Sequence, residues 1–476
     1  MMLLKPMLFL LLLGEFISNP IYAQVYNRDN INLLSQWDDA NASTGVAGNR
    51  YSGCYGYEAA GRQYAIVGAA DGTFFIDITN PLSPIVRDYV VGVRAACTWR
   101  EVHTYGKYAY IVSDDAAPNA LQIIDLSYLP DSVKIVHQSD SIITRSHTLY
   151  IDRGHLYTSS VKYNALSSSS LAVWDVSTNP ERPILLRKLD DDIPTTIIGN
   201  VHDAISYNDT IFASVGYQGI FILYYDATKN KFSILGSYSN YEGGGAYNHN
   251  AALLEDKSTL VFTDEVPKDL DAKAIDVSDY SDINPICTFH SAFGGTPHNI
   301  YSAGFGSRVI LSYYQDGIWI YDFTQREQPI ITGYFDTHYQ TVGNNHNYSN
   351  PGGAYKGNWG AYLFPSNKRL IALDMQNGLF VLNADTALGL VTTPVDANKI
   401  SINPYIFPNP VGNSLHIRID EIGEFVYEII APAGNIWQRG YYNTDIPIDV
   451  AMLPKGKYFI KLSKDSEMYM LKFIKG

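Results

Sequence analysis

Five histidines recur at one point of a repeated unit: His103, His147, His202, His249 and His298, spaced 44, 55, 47 and 49 residues apart. Each leads into an aromatic or β-branched run, and a second run that usually ends in Asp follows. A unit of this length cannot bury its own apolar face alone. It must stack on its neighbours, so the period largely decides the fold. The closing runs lie at 73–77, 121–125, 171–175, 221–226, 273–276, 318–322 and 379–383, which makes seven. Six end in Asp (Asp77, Asp125, Asp175, Asp226, Asp276, Asp322), and the seventh ends in Asn383. Turn residues follow, as in Asn80-Pro81 and Asn179-Pro180, and then one more short strand. Four strands in roughly 45–50 residues is the content of a propeller blade.

The chain is expected to be all-β, a seven-bladed β-propeller followed by a small C-terminal β-sandwich. Tyr and Gly each number 37, which suits pleated strands and tight turns. The seventh repeat lacks a fourth strand, and residues 31–37 resemble the fourth strands elsewhere. An N-terminal strand completing the last blade would remove an open sheet edge. An open β-solenoid is the alternative.

Residues 1–23 read as a signal peptide. Lys5 precedes an apolar run at 7–13, and Ile21-Tyr22-Ala23 stands before Gln24 as a cleavage site. The run is too short to span a bilayer, so no transmembrane segment is expected after cleavage. A net charge of −14 argues against nucleic acid as a partner. The domains expected are a propeller at 24–385, a linker at 386–401 and a sandwich at 402–476. Of the three cysteines, Cys54, Cys97 and Cys287, a Cys54–Cys97 disulfide is the more natural pairing in an exported chain. Three buried thiols are the alternative.

The C-terminal segment resembles the type A sorting domain of the type IX secretion system of Bacteroidetes-type bacteria. The resemblance rests on Phe407-Pro408-Asn409-Pro410, Leu453-Pro454-Lys455-Gly456-Lys457-Tyr458 and Lys472-Phe473-Ile474-Lys475-Gly476. It implies export by that machinery through residues 402–476, and a secreted or outer-cell-surface location. The propeller resembles the choice-of-anchor B family of LVIVD-repeat proteins. That likeness is carried by Ile76-Asp77-Ile78-Thr79-Asn80-Pro81, Trp99-Arg100-Glu101-Val102-His103, Ser146-His147-Thr148-Leu149 and Trp359-Gly360-Ala361-Tyr362. This family implies a secreted or surface-anchored propeller and no particular reaction. Its partner would be an extracellular protein or glycan.

If each histidine opens the strand nearest the propeller axis, the ring of equivalent positions is Cys54, His103, His147, His202, His249, His298 and Trp359. Such a ring is a candidate ligand site at the channel. Imidazoles are good ligands for a divalent transition metal, and the consecutive run His147, His202, His249 and His298 is the candidate metal set. A metal-dependent lyase or hydrolase is therefore the alternative to a non-catalytic binding module. Against it stands a structural reading, since a residue repeated once per blade commonly serves the blade. WD-type propellers use such a histidine in hydrogen-bond networks, and the closing aspartates are candidate partners. The acid pairs Asp114-Asp115 and Asp264-Glu265 read as exposed loops, with calcium binding or acid–base work as the alternative. The polar insertion at 337–358, with His338 and His346, is a candidate cap or ligand loop.

Overall fold

The computed structural model describes residues 28–45, 48–115, 119–164, 167–239, 241, 245–268, 270–292, 295–338, 356–390, 405–406, 409–418, 424–431, 436–443, 447–464 and 467–476. The expected signal peptide, and most of the expected linker and of the insertion, lie outside them.

Seven antiparallel sheets follow one another along the chain. Their first strands are Tyr51–Ala59, Glu101–Tyr105, Thr148–Asp152, Asp203–Tyr207, Tyr247–Leu253, Ile300–Ser302 and Asn358–Leu363. Each of these neighbours the first strand or sheet of the next blade, and the seventh returns beside the first, closing the ring. Asn32–Trp37 pairs antiparallel with Gly378–Asn383 and supplies the fourth strand of the seventh blade. The expected closure is therefore present, sealed by apolar contact between the chain's two halves. Leu373, Leu379 and Val381 of blade seven share one core with Tyr51, Val67 and Ile76 of blade one. The strand Arg28–Asp29 adds a fifth member to the sixth blade, against Ile330–Phe335.

The middle strands of the blades are buried on both faces, which explains their nearly continuous apolar runs. Fourth strands lie outermost and are half exposed, as in Ile184–Lys188. The turn into the third strand needs glycine. Gly317 and Gly378 have φ of +77° and +82°, and a Cβ there would meet the carbonyls of Phe335 and Trp37 at 2.2 and 2.3 Å. The closing aspartates serve the turns that follow. Asp125, Asp175, Asp226 and Asp322 each accept from the backbone N–H two residues on, which builds an Asx turn. Their remaining oxygens pair with basic side chains such as Lys107 and Arg308. They form turns rather than bonding the ring histidines, which was the alternative for them.

All three cysteines are free, and the Cys54–Cys97 disulfide is not formed. Cys54 faces Val67 within blade one, whereas the Cys97 thiol points to the carbonyl of Arg94. Residues 384–388, at the edge of the expected linker, pack into the core of blades six and seven through Ala384, Ala387 and Leu388.

The C-terminal segment forms a four-stranded sheet of Ile436–Asn443, Glu424–Ile430, Gly456–Lys464 and Glu467–Lys475. Two short ladders, Tyr405–Ile406 with Ile417–Arg418 and Ser414–Leu415 with Ile448–Asp449, complete it. Its core gathers Leu415, Phe425, Ile429, Ile460, Leu462 and Phe473, the alternate residues of these strands.

Candidate functional site

The register of the blades decides which residues are equivalent. His155 and Tyr108 face the closing Asp175 and Asp125 in their blades, so Ser159 and Val112, four residues on, correspond. Ser159 faces Thr148, and Val112 faces Glu101. Asp203, Asn250 and Gly360 occupy the same place in blades four, five and seven. The preceding residues are His147, His202, His249 and Trp359, joined by His298 in blade six, where the Asn299 carbonyl accepts from Ser312. These five form one continuous row of mutually tilted rings, with ring centroids 4.3, 4.3, 4.4 and 4.3 Å apart in chain order.

His103 and Cys54 do not belong to that row. The place in blade two is held by Arg100 and the place in blade one by Ser52. Arg100 turns its guanidinium outward to the carbonyl of Ala69, and its backbone N–H donates to the Ser52 hydroxyl. His103 lies three residues further along its strand. It donates from Nδ1 to its neighbour's carbonyl, and Nε2 accepts from the Tyr55 hydroxyl at 2.9 Å. Burial holds His103 down at about 4, so it is neutral. Burial likewise raises the Cys54 thiol, which is not a thiolate.

The row divides the channel. On one side is a chamber of about 350 Å³, which extends past Cys54, His103, Tyr55, Tyr150, Tyr301 and Tyr362. On the other is a smaller space of about 260 Å³, walled by Trp99, Tyr217, Tyr247 and Glu265. His147, His202, His249, His298 and Trp359 line both.

The histidines are oriented by carbonyls, and this sets their tautomers. His202 Nδ1 lies 2.9 Å from the His249 carbonyl, and His298 Nδ1 lies 2.6 Å from the Trp359 carbonyl. A carbonyl only accepts, so both rings carry their proton on Nδ1 and present a bare lone pair at Nε2. Burial drives His202 and His249 well below the usual histidine range, and His298 down to about 3, which keeps them neutral. His147 differs. Burial opposes its charge, but Asp114, 2.6 Å from Nδ1, raises its pKa. Its Nε2 lies 2.9 Å from His202 Nε2, which can only accept. His147 therefore carries the proton between them, and the row runs from a protonated end at His147 to an unpartnered, buried Nε2 on His298.

Two carboxylates flank the row. Trp359 Nε1–H donates to Glu101 Oε1 at 2.9 Å, and burial lifts the Glu101 carboxyl to about 7 despite that bond. Tyr314 donates its hydroxyl to Glu265 Oε1 at 2.6 Å, leaving Oε2 3.9 Å from His249 Nε2. Burial raises Glu265 as well. Asp203, next to His202, accepts from the Asn250 amide and is raised by burial. The acid pairs read as exposed loops are thus inside: Asp264 is fully buried in an ion pair with Lys273, and Glu265 faces the histidines. Asp114 orients His147, and Asp115 accepts from the N–H groups of Thr98 and Trp99. Of the insertion, Thr337 and His338 are buried beside Asp374, and residues 339–355 with His346 lie outside the described residues.

Residues 405–476 match the family model of the secretion system C-terminal sorting domain. The protein is exported by type IX secretion. It is a secreted or cell-surface protein that carries a β-propeller, and among the described residues no helix is long and apolar enough to cross a membrane. No curated protein matches the sequence. Among solved structures, the chain is similar to U3-55K at 9% identity, covering 74% of this chain and 98% of that one, with a TM-score of 0.47. It is similar to the RRP9 WD40 repeats at 9% identity, covering 74% and 96%, with a TM-score of 0.48.

Proposed function

We propose that the exported protein is a binding module that takes the end of an oligosaccharide into its channel chamber. The observation behind this reading is the chamber's lining: four tyrosines, Tyr55, Tyr150, Tyr301 and Tyr362, around the carboxylates of Glu101 and Asp203. Aromatic faces pack against the C–H surface of a sugar ring, and carboxylates accept from its hydroxyls. A chamber of about 350 Å³ falls in the range of small-ligand pockets and suits a chain end rather than the length of a polymer. Two acids in a poorly solvated chamber favour neutral or amino sugars and disfavour uronates, whose like charge would be repelled.

Calorimetry of the full chain against neutral, amino and uronic oligosaccharides tests this. Binding of the first two classes is expected, weakened about tenfold, or ~1.4 kcal/mol, by Tyr150→Ala. Binding of none of them, or capture of protein ligands through the outer faces alone, contradicts the reading. A metal-assisted lyase or hydrolase is a second reading, supported by the Glu101 carboxyl, whose pKa of about 7 suits a general acid or base. New reducing ends or unsaturated products after incubation with polymer would favour it.

A further inference from the structure

We propose that His249, His298 and Glu265 form a binding site for one divalent transition-metal ion, with zinc as the best match, in the propeller channel. The site is independent of whichever ligand fills the neighbouring chamber. One ligand atom from each residue lies within 4.8 Å of the others, on three different strands or loops of blades five and six. The chemistry of the donors fits. His298 is 1% exposed, and its Nδ1 proton is committed to the Trp359 carbonyl. Its Nε2 is therefore a lone pair, buried with no hydrogen-bond partner. Leaving such an atom bare is costly, and a cation at Nε2 satisfies it.

Glu265 adds the negative charge. Its Oε1 is fixed by the Tyr314 hydroxyl, so Oε2 is left facing His249 Nε2 at 3.9 Å. This is the outer-shell arrangement common at metal carboxylates, just as the Trp359 carbonyl behind His298 is the common partner of a ligating imidazole. Two ligands at zinc distances and the tetrahedral angle lie about 3.4 Å apart, so the pair 3.9 Å apart must close by roughly half an ångström and the widest pair by up to about 1.4 Å. Tyr314 also packs against His298 at a tilt, with centroids 4.4 Å apart, and so braces both ligands at once. Two imidazoles and one carboxylate leave at least one coordination position, which borders the space walled by Trp99, Tyr217 and Tyr247. Mixed nitrogen and oxygen donors without thiolate select zinc, nickel or iron(II) over calcium and magnesium.

The test is titration of the chelator-treated full chain with Co²⁺, read by its visible absorption, followed by displacement with Zn²⁺. One Co²⁺ per chain is expected, displaced by one Zn²⁺. Glu265→Gln and His298→Ala should each weaken binding about a hundredfold or more. Tyr314→Phe, which frees the carboxylate without removing it, should weaken it about 10–100-fold. His290→Ala, at an exposed position on blade five, should bind like the parent. If His298→Ala fails to fold, Glu265→Gln decides alone. No stoichiometric binding by the parent, or full-strength binding by folded Glu265→Gln, overturns the proposal. Oligosaccharide binding can survive or fail separately from either result.

Discussion

Glu101 sits where blade one leaves room for it. A Cβ on Gly53 would lie 2.5 Å from both Glu101 Oε2 and the Arg100 carbonyl, so only glycine lets the acid pass beside it. Burial raises the Glu101 carboxyl from 4.5 to about 7, and this has a consequence for stability. Between those two values the folded chain holds a proton that the unfolded chain has lost. Stability contributed by this group is therefore highest below about pH 4.5, falls as pH rises, and levels off above about 7. The fall is at most about 3 kcal/mol, lessened by water in the chamber. Glu101→Gln removes the ionisation, so it should be more stable than the parent at pH 8 and nearly equal to it at pH 4.5. Denaturant midpoints at the two values check this, and equal differences at both would refute it. The histidines divide their labour in the same atom-by-atom way. In His202 and His298, Nδ1 ties one blade to the next through a carbonyl; His202 Nε2 then accepts from His147, while His298 Nε2 has no hydrogen-bond partner and faces the channel. Structural and ligand-binding roles are thus compatible in one ring.

The first strands are the elements that carry the channel chemistry, and their register explains what the sequence showed and what it hid. Blade number was legible because closing strands repeat an apolar run ending in Asp or Asn, and those aspartates build the turns. The row of His147, His202, His249, His298 and Trp359 was legible too, since each stands at or near the start of its blade's first strand. His103 misled because Arg100 occupies its place. The tell was spacing, for 44 residues separate His103 from His147, while Arg100 lies 47 before it. Glu265 was hidden because an acid pair looks like a solvated loop. Only pairing of Tyr247–Leu253 with Thr259–Val266 shows Asp264 and Glu265 running into the channel wall. The closing strand Asn32–Trp37 was predictable from the missing edge. Trp37 meets Phe74 edge-on at 4.9 Å and anchors it. Trp37→Ala should cost about 3 kcal/mol. Trp437→Ala, at a 52% exposed position in the sorting domain, should cost under about 0.5 kcal/mol. Similar losses in urea titrations of the two variants would contradict this role for the strand.

At the scale of the molecule, the C-terminal domain sends the protein out of the cell, and the propeller is what arrives there. Its central feature is an axial row of imidazoles, neutral at His202, His249 and His298 and protonated at His147, between two chambers, one rich in tyrosine and acid, the other beside Glu265. The proposed metal ligands and their supports are concentrated where blades five to seven meet, since His249, His298, Glu265, Tyr314 and Trp359 all lie there. The most direct measurement is anomalous diffraction at the zinc edge from crystals of the full chain soaked in Zn²⁺. One peak about 2.0–2.2 Å from His249 Nε2, His298 Nε2 and a Glu265 oxygen is the expected result. A channel without such a peak, in which a water donates to His298 Nε2 instead, would contradict it.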